Sequence, residues 1–223
     1  MNSSLIRQTY LVLPLCCLLA ISVSQGEAAP RSQPQHQGTI VAVGDSLTAG
    51  LGVNEAEAYP AQLEKMLRAA GYEWEVVNAG ISGETSSGTL SRINWVMKLR
   101  PDIVILETGA NDGLRGIDPA VTRKNIDETI RILKQQNVTV VLAGMQMVRN
   151  LGREFTQGFA DIYPSLARKH GLLLVPFFLQ GVAGDPSLNQ PDGIHPTAEG
   201  YRIVTERLYP FARKAIDKNK KRP

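Results

Sequence analysis

The sequence predicts an α/β protein: a five-stranded parallel sheet with helices on both faces. Three observations predict it. Short β-branched runs alternate with amphipathic stretches along the chain. The run at residues 103–106 (IVIL) has no polar alternation, as a strand covered on both faces requires. The 223 residues are 43% hydrophobic and 20% charged, ordinary for one globular domain with extensions. This composition excludes a disordered chain, a collagen and a coiled coil. The net charge of +3 is too small to predict a nucleic-acid partner.

The elements follow in chain order. Residues 1–28 read as a secretory signal peptide: Arg7 precedes the apolar run 10–23, and small residues follow it. The run is shorter than the roughly 18 residues of a membrane span. Cleavage after Gly26 or after Ala28 satisfies the small-x-small rule, and the second is preferred; the alternative is an uncleaved anchor. A lipidated cysteine is disfavoured, because Leu15 and Cys16 are bulky. The expected location is periplasmic or secreted, with no stable membrane anchor once the peptide is removed. Cys16 and Cys17 leave with it, so the mature chain has no disulfide and no thiol nucleophile. Residues 29–38 form a polar linker that carries His36.

The domain proper is expected over 39–217. Residues 39–43 are the first strand. Helix 60–70 places Leu63, Met66, Leu67 and Ala70 on one stripe and stops at Gly71. Strand 75–78 is followed by one helix over 85–99, closed by Arg100-Pro101. After strand 103–106, Asp118-Pro119 is an N-cap and N1 pair for a helix that buries Ile126, Ile130 and Leu133. Strand 139–142 comes next. Phe155, Phe159, Ile162 and Leu166 form a helical stripe that Pro164 kinks or divides. Strand 172–175 precedes a last helix that begins near Pro196, presents Tyr201, Val204, Leu208 and Phe211, and is interrupted at Pro210. Residues 218–223 read as a solvated basic tail. Among doubly wound sheets the expected strand order is 2-1-3-4-5, with the site beyond the carboxyl ends of the strands.

Chemistry is therefore sought at the strand ends. Strand one runs into Gly44-Asp45-Ser46-Leu47, which puts Ser46 on a strand-to-helix turn. Alone, such a serine is ordinarily a cap. It is neither a phosphate loop, since the lysine is missing, nor a G-x-S-x-G elbow. A serine nucleophile needs a base, and the chain has 3 histidines. His36 lies in the linker, and His170 suits the end of a helix, where a cation meets the dipole. His195 follows Asp192 by three residues, a spacing that brings the carboxylate to Nδ1 and leaves Nε2 for the serine proton. The alternative is a turn with Asp192 as a helix-starting cap. Gly80 after strand two offers a bare N–H, and Asn111 after strand three offers its amide; both suit a developing oxyanion. Asn78 and Asp112 are better read as turn residues.

Together these blocks resemble the SGNH (GDSL-type) hydrolase family. The resemblance runs from Thr39 to about Phe211, through GDSLTAG at 44–50, NAGISGET at 78–85, GANDGLRG at 109–116 and DGIHPT at 192–197. It is similar most of all to the bacterial periplasmic thioesterase and lysophospholipase branch and to arylesterases. The resemblance implies a three-layer flavodoxin-like fold and hydrolysis of ester or thioester bonds. It also implies Ser46 as nucleophile, Ser46, Gly80 and Asn111 as oxyanion donors, and His195 as base oriented by Asp192.

The expected reaction is acyl transfer through an acyl-enzyme, without metal or organic cofactor. A histidine in water titrates near ~6.5, so activity is expected to fall below roughly pH 6–7. The expected partner is a small-molecule acyl ester or thioester, including a lipid at a membrane surface. Met145, Met147 and Val148 after strand four, with Phe177, Phe178, Leu179 and Val182 after strand five, are candidates for the cleft wall; core residues are the alternative. Two other readings stand beside this one: a carbohydrate O-acetyl esterase, and a non-catalytic binding module of the same fold.

Overall fold

The computed structural model describes residues 36–147 and 151–220. The expected signal peptide, nearly all of the linker, Val148 and the last three residues lie outside them. Five parallel strands form one sheet in the order β2-β1-β3-β4-β5, as expected. They are β1 (Gly38–Gly44), β2 (Trp74–Gly80), β3 (Ile103–Glu107), β4 (Thr139–Ala143) and β5 (Leu173–Val175). β1 lies between β2 and β3, so the strand order reverses at its carboxyl end. Ile40 to Val43 and Ile103 to Leu106 are wholly buried, because helices cover both faces of a parallel sheet.

The helices are α1 (Ser46–Ala49), α2 (Tyr59–Ala69), α3 (Ser86–Ser91), α4 (Ile93–Val96), α5 (Ala110–Leu114), α6 (Pro119–Gln135), α7 (Arg153–Ala160), α8 (Ile162–His170) and α9 (Ala198–Lys220). α6 starts as its sequence demands. The Asp118 carboxylate accepts from Ala120 N–H, Pro119 fills the first turn, and Ile126, Ile130 and Leu133 are buried. Among the described residues no helix is long and apolar enough to cross a membrane.

Two expectations about the helices need correction, and one about a divided helix holds. The single helix over 85–99 is broken at Arg92 into α3, α4 and a short 3-10 turn. Its serines and glycine are weak helix formers, and the Arg92 side chain turns inward to an ion pair with Glu84. The stripe at 155–166 does divide, at Asp161, which leaves Pro164 in the first turn of α8. Pro210 does not interrupt the last helix. α9 runs on to Lys220, so residues 218–220 are helical rather than a free tail. Pro210 is exposed, which leaves the carbonyl that loses its N–H partner on the water side, while Ala212, Ala215 and Ile216 beyond it are buried.

Candidate active site

The serine turn is built at the point of strand reversal. β1 ends at Gly44, and Asp45 caps α1 by accepting from Leu47 N–H at 2.9 Å. Ser46 is the first residue of α1 and is 9% exposed. The turn closes on Gly50, whose φ of 78° belongs to the left-handed region that favours glycine.

The imidazole arrives from the loop before α9. Asp192 organises that loop with both carboxylate oxygens. Oδ1 accepts from Ile194 N–H at 2.8 Å and from His195 N–H at 3.0 Å. Oδ2 lies 2.7 Å from His195 Nδ1, and His195 Nε2 lies 2.8 Å from Ser46 Oγ. The chain Asp192–His195–Ser46 thus joins groups 149 residues apart. The hydrogen bonds from His195 N–H, from its ring and from Ile194 N–H hold the Asp192 carboxyl down at about 2. The Asp192 side chain is 44% exposed, so water screens much of that pairing. His36 is exposed, and His170 pairs with Asp127 on α6. Neither histidine is bonded to the serine.

The two donors expected for an oxyanion stand at neighbouring strand ends, and both are engaged. Gly80 pairs across the sheet with Gly44, and a Cβ on it would meet Ala49 N at 2.2 Å. Only a glycine lets β2 approach the serine turn so closely. Its N–H donates to Asn78 Oδ1 at 3.0 Å, the turn role expected of Asn78. Asn111 lies in α5 and its Nδ2 donates to Asp45 Oδ2 at 3.1 Å and to Glu84 O at 3.0 Å. Asp112 accepts from Ser86 and Thr122, again as a structural residue.

The expected cleft wall is mostly core. Met145, Phe178, Leu179 and Val182 are buried, with Phe178 edge-on to Tyr59 at 5.2 Å. The segments after β4 and β5 fold their apolar side chains back between the layers, where more area leaves water. Phe177 and Met147 are partly buried, and Met147 lies against Gly113 of α5. The apolar side chains that do reach solvent near the site are others. Leu51 follows α1, Ile81 follows Gly80, Leu114 ends α5 and Ile194 precedes His195; they are 42–51% exposed.

Reading the sequence missed the residues that hold the site. Arg92 pairs with Glu84 through two nitrogens, at 2.6 and 2.7 Å, and donates to the carbonyl of Ala79 at 2.8 Å. Glu107 lies under the serine turn. Its signal was available: an acid directly after an all-apolar strand run.

A hydroxyl hydrogen-bonded to an imidazole that a carboxylate orients, at the carboxyl edge of a doubly wound parallel sheet, defines the class of α/β serine hydrolases. The comparisons then give the family. The profile of the GDSL-like Lipase/Acylhydrolase family matches residues 42–203. Esterase TesA of Pseudomonas aeruginosa is 36% identical over 195 residues, covering 87% of this chain and 93% of that one. Thioesterase 1/protease 1/lysophospholipase L1 of Escherichia coli K12 is 35% identical over 169 residues, covering 75% of this chain and 80% of that one. The crystal structure of AlinE4, an SGNH-hydrolase family esterase, superposes with a TM-score of 0.69 at 40% identity, over 83% of this chain and 99% of that one. The chain belongs to the GDSL-like lipase/acylhydrolase family and is an SGNH-type hydrolase of ester or thioester bonds.

Proposed function

We propose that the protein hydrolyses acyl esters or thioesters through an acyl-enzyme on Ser46. One observation carries the reading: the unbroken hydrogen-bonded chain from Asp192 through His195 to Ser46 Oγ. Ser46 Oγ attacks the acyl carbonyl while neutral His195 Nε2 takes its proton. Nδ1–H stays bonded to Asp192, which stabilises the imidazolium that forms. The protonated ring then gives its proton to the leaving alcohol or thiol. Water, activated by the same ring, attacks the acyl-enzyme and releases the acid.

The oxyanion is held by the N–H groups of Ser46 and Gly80 and by the Asn111 amide. Gly80 N–H and Asn111 Nδ2 share or exchange their present acceptors, Asn78 Oδ1 and the Glu84 carbonyl, for the developing charge. Loss of one such donor raises the barrier by roughly 3–4 kcal/mol.

The test is covalent labelling. A fluorophosphonate probe is expected to label the parent protein at Ser46 and to fail on Ser46→Ala, with hydrolysis lost together with the label. Retained hydrolysis in that variant rejects Ser46 as the nucleophile.

The basic, apolar and small-residue order of residues 1–28 supports export to the periplasm or beyond. Mass spectrometry of the exported protein is expected to begin at Ala29. A protein that keeps residue 1 and sediments with membranes contradicts cleavage.

A further inference from the structure

One buried acid has no part in the reaction proposed above. Glu107 ends β3 with no solvent exposure. Its Oε2 accepts from Thr48 Oγ1 at 2.9 Å and from Asp45 N–H at 3.3 Å. Gly44 makes this approach available: a Cβ there would fall 2.1 Å from Thr48 Oγ1 and 2.5 Å from Glu107 Oε2.

Asp45 is 1% exposed and bonds in two directions. Oδ1 accepts from Leu47 N–H, the cap of the serine helix. Oδ2 accepts from Asn111 Nδ2. Glu107 Oε1 is buried with no other hydrogen-bond partner among the described residues, and Oε2 is tied to the Asp45 N–H, so the two buried acids are neighbours. Two neighbouring carboxyls away from water do not both ionise, so one carries a proton.

The surroundings assign the proton. Burial raises the Asp45 carboxyl too, but against it stand donors of its own in Leu47 and Asn111, and the His195 ring. The titratable groups facing Glu107 are Asp45 from the β1–α1 turn, Tyr59 from α2, Tyr163 from α8 and Tyr201 from α9. That set contains no cation. Burial first, and the Asp45 charge second, push the Glu107 acid well above its ordinary range, against the bond from Thr48.

We infer that Glu107 is a positioning residue that works as a neutral carboxylic acid, its proton bridging to the Asp45 carboxylate that sets both the serine helix and the Asn111 amide. This inference rests on Ser46 as nucleophile and Asn111 as oxyanion donor. The acid braces the carboxylate from behind, and the carboxylate fixes the donor in front.

The experiment compares two substitutions on a soluble p-nitrophenyl ester. Glu107→Gln keeps the shape, an oxygen for Thr48 and an N–H for Asp45. Its kcat is expected within about threefold of the parent, with KM unchanged, because one neutral donor replaces another. Glu107→Met keeps the volume and removes the donor. Its kcat is expected to fall roughly 10–100-fold at nearly constant KM, since the Asp45 charge is left buried and unbraced.

Asn111→Ala, combined with Glu107→Met, is expected to cost much less than it does in the parent, because both act on the same donor. Circular dichroism and thermal unfolding check the fold of each variant, and the Gln variant decides alone if the Met variant does not fold. A Gln variant as inactive as the Met variant, or losses that simply multiply, overturns the inference. Failure of the site reading looks different: the parent resists fluorophosphonate, or Ser46→Ala stays active, whatever residue 107 does.

Discussion

At the scale of single residues, the site divides its carboxylates by environment. Asp192 is half in water and gains its low pKa from three hydrogen bonds at one short turn. Glu107 is wholly buried, and burial pushes its carboxyl well above the ordinary range. The sign of each shift fixes what pH does. Asp192 binds its proton less readily in the fold, so its contribution is present above 3.8 and is lost only as pH falls toward about 2. It stays ionised throughout the range in which an imidazole base is lost. An acid limb of activity near neutral pH is therefore not the titration of Asp192. Asp192→Asn is expected to lower kcat by about 10²–10⁴-fold, because the amide cannot both accept from Nδ1–H and stabilise the imidazolium. A kcat/KM measurement on a p-nitrophenyl ester reads the loss. A variant as active as the parent means that Asp192 does not act through the ring.

At the scale of elements, the helices show where local rules yield to packing. α9 carries Pro210 in its interior and runs on for ten residues. An interior proline costs about 3 kcal/mol, and the burial of Ala212, Ala215 and Ile216 outweighs it. Pro210→Ala should restore the missing bond and stabilise the protein by about 1–2 kcal/mol, after the greater freedom of the unfolded chain is subtracted. Urea denaturation reads this, and a loss of stability would mean that α9 needs the proline's bend. The break at Arg92 is the converse case. A guanidinium 12% exposed satisfies Glu84 and the ends of β1 and β2, and that bonding is worth more than one continuous helix. Glu84 in turn offers its carbonyl to Asn111, so the break and the site are parts of one arrangement.

At the scale of the whole molecule, the segments after β1, β2, β3 and β5 deliver separate groups to one edge of the sheet, and four exposed apolar side chains lie on those same segments. Ile81 and Ile194 adjoin Gly80 and His195 in sequence, Leu51 follows the short helix that begins at Ser46, and Leu114 ends the one that carries Asn111. An acyl chain laid on them leaves water, at up to ~0.8 kcal/mol per methylene. kcat/KM for p-nitrophenyl esters should therefore rise from C2 toward medium chains, by up to about fourfold per methylene. A maximum at acetate would instead favour small acyl groups, such as sugar O-acetyl esters.

The boundaries of most elements were legible because they rest on local chemistry, whereas the strand order came from the rule for doubly wound sheets and the four site blocks from their joint pattern. β-branched runs, a proline after a capping aspartate and glycine-rich turns act over a few residues. The Asp192–His195 pair was legible for the same reason, its spacing being three. The sequence by itself therefore determined the class of fold and the groups that meet at the strand ends. The tertiary structure alone decided which aromatic side chains are core, that Arg92 breaks a helix, and that Glu107 lies behind Asp45. Those outcomes depend on distances between segments roughly 10 to 65 residues apart, and on the absence of water there. A carboxyl's charge is set by what surrounds it in space, which no stretch of neighbouring residues records.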